Sequence, residues 1–250
     1  MNFTIQKARR GLTVALSALA FAAMVTPAHA DPVLLNGNFE QTLTPTSSQF
    51  GSAFPSQQVT SWASSGYSFV FTPGTADTTG APSQFGNLQL WGPGNGSANG
   101  LPASSPAGGN FIAIDGAFET TPLTQTVTGL TPGQATTVSF YFAGAQQSGN
   151  TGPTTDQFLV SLGSQTLSTP VLNDPSHGFT GWQLENLTFT PTSTSEVLSF
   201  LAVGTPSGVP PFALLDGVTV SAVPEPASLA LLSTGLIGLG GYVRSRFKKS

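Results

Sequence analysis

Between Asp31 and Val223 the chain offers few side chains suited to bond-making chemistry: one histidine, His177, ten carboxylates and no cysteine. A serine hydrolase needs a nucleophile, a base and an acid that orients the base. The single histidine stands in Pro175-Ser176-His177-Gly178, a turn-like setting, and no Gly-x-Ser-x-Gly elbow occurs. Histidine-based zinc sites fail for the same shortage of ligands. Glycoside hydrolysis asks only for two carboxylates, about 5–5.5 Å apart for retention or about 6.5–9.5 Å for inversion. Ten acids permit such a pair, but their spacing displays none. Asp115 and Asp216 each precede a glycine, where a local turn or a strand end accounts for both residues.

These acids have no positive partners nearby. All seven Lys and Arg lie at the ends: Lys7, Arg9 and Arg10, then Arg244, Arg246, Lys248 and Lys249. The formal net charge of −4 therefore averages basic ends with a body that holds ten acids and no cation. Such a body repels phosphate backbones, which excludes nucleic acid as a partner, and it has no lysine for a phosphate loop. Its carboxylates must be solvated, accept hydrogen bonds or meet a cation, and hard oxygen ligands suit calcium. No Asp-x-Asp-x-Asp-Gly loop is present.

Of the 18 Phe, 15 fall in this body, as do all three Trp, which is too much aromatic surface to leave wet. A folded core with generous loops follows. Sugar recognition would use exposed aromatic faces with amide and hydroxyl partners. Trp91, beside Gly92-Pro93-Gly94-Asn95, borders a long loop and is the first candidate, followed by Trp62, Tyr67 and Trp182.

The ends are addresses. Residues 1–30 combine a basic start, an apolar run from Leu12 to Val25, and Ala28-His29-Ala30 before Asp31, the pattern of a cleaved signal peptide. At the other end Pro224-Glu225-Pro226 precedes the uncharged stretch 227–243 and a basic tail at 244–250. Seventeen residues are the lower limit for spanning a hydrocarbon core of about 30 Å. The basic tail places the C-terminus on the cytoplasmic side and the body outside. This series resembles the PEP-CTERM sorting signal of Gram-negative bacteria. The resemblance implies passage through the secretion translocase, removal of the leader by signal peptidase and transient anchoring in the inner membrane. Recognition by an exosortase-type membrane protease and delivery to the cell surface or extracellular matrix would follow.

The body reads as strands. Val138, Phe140 and Phe142 alternate with polar neighbours, as do Phe158, Val160 and Leu162, and Leu187 and Phe189. Val197 to Val203 is nearly all apolar, which predicts a central strand covered on both sides. Ala213–Val220 closes the series, and earlier strands are expected near Leu88–Trp91, Phe111–Asp115 and Leu123–Val127. No segment shows a capped helical stripe. Nine to eleven short strands over residues 31–222 predict an all-β fold, an antiparallel two-sheet jelly-roll sandwich. It is flanked by the signal peptide and, over 223–250, by the sorting signal with its single transmembrane helix.

Four short blocks in order, Leu35-Asn36-Gly37-Asn38-Phe39-Glu40, Asn110–Gly116, Gln125–Gly133 and Leu215–Val220, resemble galactose-binding-like jelly rolls. That family includes many carbohydrate-binding modules. The resemblance implies a possible structural calcium ion between the first and last strand regions, here Glu40 and Asp216. Taken together, the expectation is an exported, non-enzymatic surface or matrix protein that associates with extracellular polysaccharide. Two rivals are a secreted glycosidase or lyase and an ice-binding protein. The latter would need regular threonine arrays, of which Thr188, Thr190, Thr192 and Thr194 supply one short ladder broken by Pro191.

Overall fold

Alternation along the chain is answered by strands. A computed structural model describes residues 31–224; the leader and the expected span at 227–243 lie outside the described residues. Thirteen strands occur: β1 (Ser48–Gln49), β2 (Ser68–Phe71), β3 (Ala81–Ser83), β4 (Gly86–Leu88), β5 (Phe111–Asp115), β6 (Leu123–Thr128), β7 (Thr136–Gln146), β8 (Thr154–Leu162), β9 (Gln165–Ser168), β10 (Leu172–Asp174), β11 (Gln183–Phe189), β12 (Ser195–Thr205) and β13 (Pro211–Ala222). All pairings are antiparallel. One sheet runs β1-β2-β5-β13-β7-β11. The other runs β10-β8-β12-β6 with β9 also on β8, and β3-β4 forms a separate hairpin.

The six-stranded sheet is covered on both faces, which explains why β2 and β5 are buried at every position. Ile112 and Ile114 join Phe140, Phe142, Phe158 and Phe200 in the core between the two sheets. Phe111 and Ala113 point the other way, into a second core with Phe69, Phe71, Phe212 and Leu214. Ala76, Leu88, Leu90 and Leu101 from the long 72–110 region close that second core. The strand series therefore carries an additional layer over its larger sheet.

Two expectations change. β12 is central in its sheet, yet Val197 and Val203 are 49% and 38% exposed while Leu198, Phe200 and Ala202 are buried. The five-stranded sheet meets the core with one face only, so the outward apolar residues of β12 face water. The threonine ladder also ends at once: β11 stops at Phe189, and Thr192 turns back to donate both its N–H and its hydroxyl to Glu196 Oε1.

β13 carries a bulge between Asp216 and Thr219, with Gly217 at φ 61°. That left-handed conformation suits glycine. The bulge lets Val218 N donate to Gly37 O at 2.8 Å, which ties the N-terminal segment to the last strand.

Candidate functional site

Two segments that lie far apart in sequence run side by side at one end of the sandwich. Ala63 and Thr124 exchange both N–H···O bonds at 2.9 Å, and Tyr67 N donates to Glu119 O at 3.3 Å. Gly66 permits this approach, because a Cβ there would stand 2.3 Å from Glu119 O. Beside the pair opens a groove of about 590 Å³ lined by Ser52, Gln58, Trp62, Ser64, Ser65 and Thr124, among others. Its walls combine apolar Trp62, Ala63 and Pro122 with hydroxyls and an amide, the uncharged partners that sugar hydroxyls use.

The same two segments, together with the β3–β4 turn, form an aromatic ledge. Tyr67, Phe85 and Phe118 surround one another with ring centroids 5.5 to 5.7 Å apart. Phe85 is 62% and Phe118 43% exposed, whereas Tyr67 is buried beneath them. Each exposed ring is held in place. Phe85 sits in the β3–β4 turn, its N–H donating to Ser83 Oγ. Asp115 Oδ1 accepts the N–H groups of Ala117 and Phe118 at 2.8 and 2.9 Å, a local turn that aims Phe118 outward. Burial pushes the Asp115 carboxyl up to about 6 against the pull of those two donors. Gln84 Nε2 donates to Glu119 Oε2 at 2.8 Å beside the ledge. An exposed apolar cluster rimmed by polar groups marks a contact surface.

Of the aromatic residues singled out in the sequence, none offers a freely open face. Trp62 and Tyr67 are corrected to core positions, 4% and 7% exposed. Trp62 packs on Phe39 at 5.3 Å and donates Nε1–H to Asn36 O, so only an edge reaches the groove. Trp91 is half-buried and lies across His177, with centroids 4.1 Å apart, while its Nε1–H donates to Asn150 O. Asn99 and Ser97 fasten the 92–100 loop onto His177 O. His177 thus acts as a wedge under a loop. Trp182 packs edge-on to Phe111 at 5.7 Å against the second core. Phe85 and Phe118 escaped the sequence reading. The signal available was a Phe placed among turn residues, Gln84-Phe85-Gly86, with no apolar alternation to draw it inward.

Glu40 and Asp216 lie near enough for the charge of one to act on the other. Asp216 is fully buried and pushed up to about 7, mainly by that burial, with the Glu40 charge adding to it. Its oxygens accept from Ser105 Oγ and Gly217 N, and Glu40 Oε1 accepts from Asn110 N. This corner is satisfied by its own hydrogen bonds, and a calcium ion would have to share those oxygens.

The strand that carries Asp216 ends at Ala222, and there the sequence changes character. Residues 222–246 match the PEP-CTERM protein-sorting motif. The chain carries that motif and is an exported protein. No curated protein matches the chain as a whole. Among solved structures, the chain is similar to TmCBM61 in complex with β-1,4-galactotriose, at 16% identity and a TM-score of 0.37 over 76% of this chain and 97% of that one. A CBM4 structure is similar at 16% identity and a TM-score of 0.32, over 76% and 100%. The CBM22-1 xylan-binding domain of Xyn10C from Paenibacillus barcinonensis is similar at 11% identity and 0.34, over 72% and 94%.

Proposed function

We propose that this exported protein is a non-enzymatic binder of extracellular polysaccharide, and that its ligand is a neutral glycan. The observation that carries the reading is the groove on the paired segments 63–67 and 118–124, with the ledge that Phe118 and Phe85 of the β3–β4 turn form beside it. Hydroxyls and the Gln58 amide can exchange hydrogen bonds with a sugar, while Phe85 and Phe118 supply the apolar face that pyranose rings stack on. With no Lys or Arg between residues 31 and 224, an acidic polysaccharide would meet only repulsion. The sorting motif supports the location: signal peptidase cuts after Ala30, an exosortase-type protease acts near Pro224-Glu225-Pro226, and the body 31–222 reaches the surface or matrix of a Gram-negative cell. The basic residues Arg244, Arg246, Lys248 and Lys249 orient the chain and then leave.

A glycan array probed with the full chain in detergent tests this reading. Neutral β-linked oligosaccharides should bind, uronate-rich ones should not, and neither should be cut. Silence across all neutral glycans, or the appearance of new reducing ends or unsaturated sugars, overturns it. Mass measurement of the surface-recovered protein tests the processing, since an intact Lys249 tail would contradict it.

A further inference from the structure

The alternation of β8 does not stop at its apolar residues. Thr154 and Asp156 continue the inward row of Phe158, Val160 and Leu162, and both are buried. On the neighbouring strand β10, Asp174 lies opposite Thr154 and Leu172 opposite Asp156, so Asp174 and Asp156 are diagonal neighbours on one face. Asp156 is 0% and Asp174 1% exposed. All four of their carboxylate oxygens lack a hydrogen-bond partner, and so does the Thr154 hydroxyl. Two buried carboxylates facing each other without donors are costly. Among the described residues there is no Lys or Arg to pair with them.

The surroundings have the form of a cradle. A Cβ at Gly144 of β7 would lie 2.8 Å from Asp156 Oδ2, and one at Gly178 would lie 2.1 Å from Asp174 Oδ1. Main chain therefore approaches both carboxylates from the side opposite their strands. Asp174 and Thr154 also form part of the wall of a depression of about 430 Å³ that opens to solvent, with Thr155, Asn173 and Thr205 around it. This gives a small ion a path in. Protonation alone would leave the Thr154 hydroxyl and the remaining carboxylate oxygens without donors other than the carboxyl protons themselves.

We propose that Asp156, Asp174 and Thr154 form a buried calcium site that closes the open end of the five-stranded sheet. Five oxygens from these side chains, supplemented by main-chain carbonyl groups and water, meet the about six to eight that calcium takes. Among the described residues no three His, Cys, Asp or Glu side chains converge. The site is built instead from two carboxylates and a hydroxyl, a donor set of hard oxygen only. That set favours calcium over zinc, which takes nitrogen and sulfur. Asp156 is held well above the usual carboxylate range by burial and by the charges of Asp174 and Asp115, which a bound dication would offset. The site is separate from the Glu40–Asp216 corner, whose oxygens are already engaged, and from the groove.

Calcium alone, added to EDTA-stripped full-length protein in detergent at pH 7.5, is the test, with magnesium as comparator. Titration calorimetry should show tight binding of calcium, and melting should rise by about 5 °C or more at saturation. Asp174→Asn should weaken calcium binding at least tenfold while keeping the fold, because it lies on a three-residue strand at the edge of its sheet and removes a charge without changing shape. Asp156→Asn should do the same if it folds. Glu40→Gln with Asp216→Asn should leave the binding in place. The inference is overturned if calcium gives neither heat nor a melting shift. It is equally overturned if Asp174→Asn responds as the unaltered protein does, or if the Glu40–Asp216 variant abolishes binding.

Discussion

Phe118 meets Phe85 edge-on, with ring centroids 5.5 Å apart and planes at 67°, although one ring follows β5 and the other tips the β3–β4 hairpin. Neither ring is needed to fill the core. Replacing either with alanine is expected to change stability by less than about 1 kcal/mol. The same replacements should weaken glycan affinity by about tenfold, read by affinity electrophoresis or calorimetry on a neutral oligosaccharide. Equal affinity in Phe85→Ala and Phe118→Ala would remove the ledge from the binding surface.

Asp115 positions that ledge from below. Its Oδ1 accepts two N–H groups, so Asp115→Ala removes both hydrogen bonds and should cost about 1–3 kcal/mol in chemical denaturation, at about 0.5–1.5 kcal/mol each. Asp115→Asn keeps an oxygen acceptor in the same place and should recover most of that loss. Affinity for glycan should follow stability in this pair, because Phe118 is aimed by the turn.

The pH dependence of stability has an unusual sign. Burial raises Asp115 to about 6 and Asp174 and Asp216 to about 7, and it raises Asp156 well above its ordinary value. A carboxyl whose folded value lies above its unfolded value binds protons more tightly in the native state. Its contribution is complete below about pH 4 and is lost as pH climbs through 6 and 7. Calcium-stripped protein should therefore melt several degrees lower at pH 8 than at pH 5. Added calcium should flatten the difference. Equal melting at the two pH values without calcium would contradict the buried placement of these acids.

Phe200 packs against Trp62, Phe140 and Phe158 at centroid distances of 6.2, 5.1 and 5.8 Å. Its ring is fully buried at the centre of the core. Phe200→Ala should cost about 3–5 kcal/mol, read as a lowered denaturant midpoint with an unchanged slope.

The long strands were legible because their side chains alternate. Val138–Phe142 and Phe158–Leu162 fall within strands the structure contains, and the apolar run Phe111–Asp115 is a strand buried on both faces. The region from 41 to 106 resisted reading because β1 to β4 are two to four residues long, too short for a period to show. The buried acids were partly legible. Stepping the β8 alternation back from Phe158 places Asp156 inside, but its composition suggests a surface residue. The ledge was hidden because its rings obey turn geometry, not a strand period.

β13 is an inner strand, paired with β5 on one side and with β7 from Pro211 to Ala222 on the other. Its exit is fastened beyond the strand, where Val223 N donates to Ala135 O at 2.8 Å and Gln134 Nε2 donates to Val223 O at 3.2 Å. The sorting motif begins on Ala222 itself, so the sequence that attaches the body to the membrane follows directly on β13. Tension from that attachment runs along the axis of β13 and must shear a long antiparallel ladder in one step, whereas an edge strand would peel bond by bond. While it is tethered, the body can resist a pull along the chain. Once it is cut free, that mechanical constraint is gone.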